Sequence, residues 1–348
     1  MTWALPKAID HNKITNAQMN RILLLFVGFY MLTGCNGNED SSPFAEVLAQ
    51  PPYSLLTDSI KKEPKRDELY FRRAVLLNKN NFPEPALADF KKAWSLRQDE
   101  SYAIAVSNIL VDKKPDEAVT FLKEALNALP KSLFLRLSLA RAYNALDKTE
   151  DALGVCNAIL LEQPDQVNTL MLQTELFQKK GDSTAVLKNL EKSYSLAPLN
   201  LEVAFKLAYQ YAETKNSKAI SLTDTLIMRD SLHLHADPYY VRGLYYSNTG
   251  DKEKAIHFFD ETIKKDYNYL NAYIEKGKAL LDQQKLTPAY KAFGLANTID
   301  PAFADAWFWM AKCQELMDLK DEAKLNYEKA YSLDKTFTEA KEAADRIK

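Results

Sequence analysis

Ala255-Ile256-His257-Phe258-Phe259 is followed 34 residues on by Ala289-Tyr290-Lys291-Ala292-Phe293, and 34 further on by Ala323-Lys324-Leu325-Asn326-Tyr327. Working outward, the small residue recurs at Ala86, Ala118, Ala152 and Ala219, with Val186 as a deviant, in steps of 32, 34, 34, 33, 36, 34 and 34. A large apolar residue stands four places later at Phe90, Leu122 and Leu190 as well. Four residues is about one helical turn, so each pair shares a helix face. A period of this length describes a stack of similar supersecondary units, each touching only its neighbours. One such unit of 34 residues would lose about 50 kcal/mol of conformational entropy on ordering. It cannot offset that alone, so stability must come from stacking.

With the small residue set as position 20, position 8 reads Ala74, Val106, Ala140, Thr174, Ala208, Gly243, Gly277 and Ala311. Position 4 is aromatic at Tyr70, Tyr102, Tyr239, Tyr273 and Trp307, and position 32 is Pro130, Pro164, Pro198 and Pro301. Small residues at 8 and 20 allow two helix backbones to approach closely. Gly181 and Gly250 at position 15 supply a left-handed turn between the helices, and proline at 32 stops the second helix. Pro83, Pro85, Pro115 and Pro288 fall at the start of second helices and Pro238 at the start of a first helix, where a missing N–H costs nothing.

This pattern resembles the tetratricopeptide repeat family over roughly Asp67 to Asp334, with Tyr143, Phe177, Tyr211 and Tyr246 at position 11 and Ala93, Ala125, Ala296 and Ala330 at position 27. The resemblance implies an all-α, right-handed superhelical solenoid of about eight helix-turn-helix repeats with a C-terminal capping helix. The expected layout is a half-repeat over 53–66, eight repeats over 67–334 and a capping helix over 335–348. The cap shows Phe337, Ala340, Ala344 and Ile347 on one side and charges on the other. The repeat from Leu201 is one residue short at its internal turn, and Ser231 to His235 expand the connection after it.

At the N-terminus Arg21 precedes an apolar run from Ile22 to Leu32. The run is too short to span a bilayer, which needs about 20 residues. Leu32-Thr33-Gly34-Cys35 resembles the lipobox of bacterial lipoproteins, which implies that residues 1–34 are a signal peptide, that Cys35 is acylated, and that 35–52 form a flexible tether. Met19 is the expected start of translation. Two or more acyl chains hold a protein firmly to a membrane. Asn36, not Asp, follows Cys35, which by resemblance to enteric lipoproteins favours the outer membrane over the inner. Glu39-Asp40 resembles the acidic surface-export signal of Bacteroidota lipoproteins, and reads equally as a solvated linker.

Net charge is −2 for the chain, and −4 once residues 1–34 are removed. No basic field exists for nucleic acid, so none is expected as a partner. Cys156 and Cys313 sit five repeats apart and read as buried fillers. Catalytic motifs are missing: no phosphate-cradling glycine loop, no His-Glu-x-x-His and no Cys-x-x-Cys pair. His233-Leu234-His235, near Asp230 and Asp237, lacks a third fixed ligand, so neither a metal nor another cofactor is expected. An enzyme is not expected.

In the resembled family the first helices line the concave surface, and positions 5 and 9 face ligands. Position 5 here is apolar throughout, including Phe71, Leu137, Met171, Phe205, Tyr240, Ile274 and Phe308. Position 9 is mixed, with Arg141, Glu175, Tyr209, Lys278 and Lys312. These residues are the candidate protein-binding groove; position 5 reads equally as core against the neighbouring repeat. The expected function is a membrane-anchored, non-enzymatic scaffold that binds another cell-envelope protein or peptide. The alternative is a glycan- or nutrient-binding surface lipoprotein, using Tyr239, Tyr240, Tyr245 and Tyr246 as a stacking platform.

Overall fold

The computed structural model describes residues 43–230 and 235–347. Every regular element in it is an α-helix. The signal-peptide and lipidation readings, including Met19 and Cys35, lie outside the described residues, as does His233. The chain divides into two compact units, one ending at Ile159 and one beginning at Leu160.

The N-terminal unit opens with a short helix α1 (Ala45–Leu48) and a lone helix α2 (Ser54–Lys62). Three hairpins follow: α3 (Asp67–Lys79) with α4 (Pro83–Leu96), α5 (Glu100–Lys113) with α6 (Pro115–Ala128), and α7 (Leu133–Ala145) with α8 (Thr149–Glu162). Its core runs continuously from Tyr53 and Ile60 through Leu77, Phe90, Val106 and Leu122 to Leu135 and Ala142. A buried polar clasp ties α2 to the first hairpin. Arg73 donates from Nε and Nη2 to the two carboxylate oxygens of Asp89 at 2.6 and 2.8 Å, and from Nη1 to the Thr57 hydroxyl at 2.8 Å. That hydroxyl in turn donates to the Leu48 carbonyl at 2.8 Å. Arg73 and Asp89 are each 6% exposed, so the bidentate pairing is what makes their burial tolerable.

The C-terminal unit holds five hairpins: α9 (Val167–Lys180) with α10 (Ser183–Leu196), α11 (Leu201–Glu213) with α12 (Lys218–Arg229), α13 (Asp237–Thr249) with α14 (Lys252–Lys265), α15 (Leu270–Asp282) with α16 (Leu286–Ile299), and α17 (Ala304–Leu316) with α18 (Lys320–Leu333). A last helix α19 (Thr338–Arg346) closes the stack. Its Ala340, Ala343 and Ala344, with Ile347, cover Phe308, Tyr327 and Ala330.

The small positions behave as the spacing requires. Ala86, Ala118, Ala152, Ala219, Ala255, Ala289 and Ala323 are all fully buried. At position 8 the fit is closest where glycine stands. A Cβ on Gly277 would lie 2.3 Å from Cε1 of Phe293, and one on Gly243 2.4 Å from Cε1 of Phe259.

The turn inside the repeat is left-handed far more often than its glycines suggest. Gly181 and Gly250 have φ of 73° and 92°, but Asn81, Asp147, Lys215, Gln284 and Asp318 adopt φ between 55° and 62° at the equivalent place. In each turn the next N–H donates back to the carbonyl of position 11, as Phe82 does to Leu77, Lys148 to Tyr143, Asp182 to Phe177 and Lys285 to Leu280. This six-to-one bond closes the helix end. After Gly181 and Gly250, Asp182 and Asp251 then cap the second helix, accepting from the Ala185 and Lys254 N–H groups. The second repeat differs: Pro115 opens α6 only two residues after Lys113 ends α5, with no left-handed residue between, and the connection from α4 to α5 is also shortened, which together account for its 32-residue step.

Candidate binding face

Consecutive first helices pack directly on one another: α5 on α7 in the N-terminal unit, and α11 on α13, α13 on α15 and α15 on α17 in the C-terminal unit. Among the described residues, no pair of consecutive second helices does so to a comparable extent. The first helices therefore form the inner side of each stack.

The position-5 residues divide by burial. Leu137, Ile274 and Phe308 are 4 to 5% exposed and belong to the core. Phe308 is enclosed by Tyr327 and Phe337, at ring distances of 5.4 and 4.7 Å. Phe71, Met171, Phe205 and Tyr240 remain half-buried. Phe71 leans on Phe90 and Tyr102 in the N-terminal unit, whereas Phe205 lies 6.0 Å from the His235 ring in the C-terminal one. At position 9, Arg141 and Glu175 are exposed, while Tyr209, Lys278 and Lys312 are half-buried. Lys312 reaches Glu315 at 3.9 Å.

In the C-terminal unit these side chains join others that position counting missed. Tyr240 lies 4.9 Å from the ring of Tyr269 and 5.8 Å from Phe259. The Tyr269 hydroxyl donates to Asp237 at 3.1 Å. Lys278 pairs with Glu275 at 2.7 Å and stands 5.0 Å over Trp309, whose indole stacks on Phe293. Glu213 at the end of α11 receives the Asn248 amide at 3.4 Å.

Solvent is partly excluded here, and the titrating groups respond. Burial, reinforced by the Glu213 and Glu275 carboxylates, pushes the Tyr209 phenol up to about 12. Tyr240 and Tyr269 are raised for the same first reason. Glu213 rises through burial, against the Asn248 hydrogen bond and with repulsion from Glu275. Asp305 rises through burial, opposed by Lys278 and reinforced by Asp334 and Glu275. A face of this kind can hold an extended or helical peptide on aromatic and apolar surface, with charge setting the choice.

The tyrosines of the 239–246 segment do not share one platform. Tyr239 lies under Lys265, Tyr240 faces the inner side, and Tyr246 stacks on Phe258 with an interplanar angle of 8°. Six residues along a helix turn a side chain by about 240°, which separates the rings. His235 donates its backbone N–H to Asp230 at 2.8 Å. Among the described residues no group of three or more His, Cys, Asp or Glu could hold a metal ion. No described helix is long and apolar enough to cross a membrane. The all-helical repeat fold is consistent with a non-enzymatic protein.

Comparison with known proteins agrees with this architecture. Tetratricopeptide repeat family models match residues 111–176, and 236–264 with 304–337. The TPR repeat-containing protein YpiA of Bacillus subtilis (strain 168) is 22% identical over 255 residues, 72% of this chain and 60% of that protein, so the match spans well under the relative's full length. A tetratricopeptide repeat protein from Parabacteroides merdae ATCC 43184 superposes with a TM-score of 0.60 at 17% identity, covering 70% of this chain and 97% of that one. A thermophilic TPR protein of Thermus thermophilus gives a TM-score of 0.44 at 16% identity over 52% of this chain and 98% of its own, too distant to weigh. The chain is thus an all-α solenoid of helix-turn-helix repeats, similar in its recurring hairpins to tetratricopeptide repeat proteins, whose family models match parts of the array.

Proposed function

We propose that the chain is a membrane-anchored, non-enzymatic scaffold that holds another cell-envelope protein, or a peptide segment of one, against its first-helix face. The observation that carries the binding role is the half-buried Phe205, Tyr209 and Tyr240 on the inner side of the C-terminal unit, each still open to solvent on packed helices. Aromatic side chains of this kind dominate interface energetics when a partner completes their burial. The anchoring role rests on Leu32-Thr33-Gly34-Cys35 in the sequence. In this reading Cys35 is acylated and the protein sits at the bacterial outer membrane with its repeats in the aqueous space.

The test is cross-linking in the membrane of the source bacterium, comparing the wild type with Phe205→Ala/Tyr240→Ala and identifying captured proteins by mass spectrometry. A defined partner lost in the double variant, with helicity unchanged, supports the face as the binding site. A partner retained in full would move the site elsewhere. A parallel Cys35→Ala variant should leave the membrane fraction; if it stays there, the acyl anchor is wrong.

A further inference from the structure

The inner face of the C-terminal unit is negatively charged as well as aromatic. Glu213, Glu275 and Asp305 stand on it from α11, α15 and α17. Among the described residues Glu213 and Asp305 make no ion pair, and the Glu213 carboxylate is approached only by the Asn248 amide, at 3.4 Å. Lys278 is a cation set among them, held by Glu275 at 2.7 Å and by the Trp309 ring. The neighbouring lysines are engaged elsewhere: Lys206 by Glu202 at 2.7 Å and Glu175 at 3.8 Å, and Lys312 by Glu315.

A second observation is independent of the carboxylates. Tyr209 and Tyr240 are packed into this face, yet neither hydroxyl finds a hydrogen-bond partner among the described residues, whereas the adjacent Tyr269 and the buried Tyr211 both do. Both residues are half-buried and still reach solvent, so a ligand that replaces water at these hydroxyls must offer them a polar partner. The phenols can accept from a cationic donor, and their rings offer it a π-face. An acidic side chain or a terminal carboxylate would instead meet like charge.

We propose that this face receives an arginine or lysine side chain from an apolar segment of the partner, set between the carboxylates of Glu213 and Glu275 and against the rings of Tyr209 and Tyr240. This rests on the reading of the first-helix face as the binding surface, and adds the chemistry of what it binds. Arginine fits better than lysine, because a planar guanidinium can stack on a ring while its edge donates to both carboxylates. Burial and repulsion from Glu275 raise the Glu213 pKa, which accords with a carboxylate that lacks a counter-charge.

The experiment uses the purified full chain and fluorescein-labelled heptapeptides of alanine and leucine with Arg, Lys, Gln or Glu at the centre, read by fluorescence anisotropy at about 0.15 M salt. The Arg peptide should bind about tenfold tighter than the Gln peptide, as expected for a hydrogen bond to a charged group, with Glu weakest. In Glu213→Gln/Glu275→Gln that ratio should fall to about one, with circular dichroism unchanged. Asp116→Asn/Glu124→Gln removes two carboxylates from α6 of the other unit and should leave the ratio intact. The proposal is overturned if the Arg peptide does not bind below about 1 mM, if the Glu peptide binds best, or if the ratio survives Glu213→Gln/Glu275→Gln. A cross-linked partner lost in Phe205→Ala/Tyr240→Ala, alongside any of those results, would leave the binding face standing and remove only the basic anchor.

Discussion

Gly277→Ala should destabilise the C-terminal unit, although alanine is the better helix former. The new Cβ would meet Cε1, Cζ and Cδ1 of Phe293 at 2.3, 2.5 and 2.8 Å. Carbon atoms rest at about 3.5–4.0 Å, so ring or helix must move by more than about 1 Å. Phe293 has nowhere easy to go: it is fully buried and stacked on Trp309 at 5.8 Å. Overpacking of this sort costs about 1–3 kcal/mol, against a helix-propensity gain of about 1 kcal/mol. The net expectation is a loss of about 0–2 kcal/mol. The control lies in the adjoining helix. Gly294 has nothing within 4 Å of its would-be Cβ, so Gly294→Ala should stabilise by about 0.8–1 kcal/mol. Urea unfolding followed by circular dichroism and by tryptophan fluorescence gives both values, with the slope checked because repeat arrays can unfold in parts. Adding Phe293→Leu to Gly277→Ala should recover at least about 1 kcal/mol relative to the sum of the single changes. If Gly277→Ala stabilises as much as Gly294→Ala, the close approach of position 8 to position 24 does not constrain the residue.

Three further outcomes follow from the packing. Asp89→Ala should cost about 3–5 kcal/mol by stranding the buried Arg73 charge, while Arg73→Met/Asp89→Leu should come out far milder; equal losses in the two would show that the ion pair is not what matters. Gln284→Gly, at φ 58°, should raise the unfolding free energy in urea by about 0.5–1 kcal/mol, since glycine takes the left-handed turn without strain; no gain would mean that the turn carries no strain to relieve. In a Cys35→Ala background, Cys156 and Cys313, whose thiols burial pushes up to about 12, should be silent to a thiol reagent until denaturant is added. Prompt labelling in the folded protein would show that the repeats around them open.

The repeat was legible because its physical requirement falls on one residue class: only a small side chain fits where two helices cross, so Ala86 to Ala323 announce it. The left-handed turn was legible only at Gly181 and Gly250. Elsewhere a strain of about 1–2 kcal/mol is accepted by Asn, Asp, Lys and Gln, because the six-to-one hydrogen bond and the packed flanking helices hold the geometry. Position 5 could not be sorted from sequence. An apolar residue serves a core and a binding floor alike, and only the neighbours decide: Tyr327 and Phe337 close over Phe308, while Phe205 and Tyr240 stay half-buried. Glu275 and Trp309 escaped notice because they stand at position 6, one place beyond those counted. Glu213 is one charge among many until Asn248, Tyr209 and Glu275 are seen around it.

The clasp of Thr57, Arg73 and Asp89 also bears on mechanics. Among the described residues α2 has no hairpin partner of its own, so a pull on the chain ahead of Tyr53 reaches it before any hairpin. With Thr57 holding the Leu48 carbonyl on one side and the Arg73 guanidinium on the other, that load passes across the helix into the Arg73–Asp89 pair. Yielding there would bare a charged pair that is otherwise kept dry. The N-terminal end is thus fastened crosswise, by a bolt through three helices, and should give way all at once instead of fraying turn by turn.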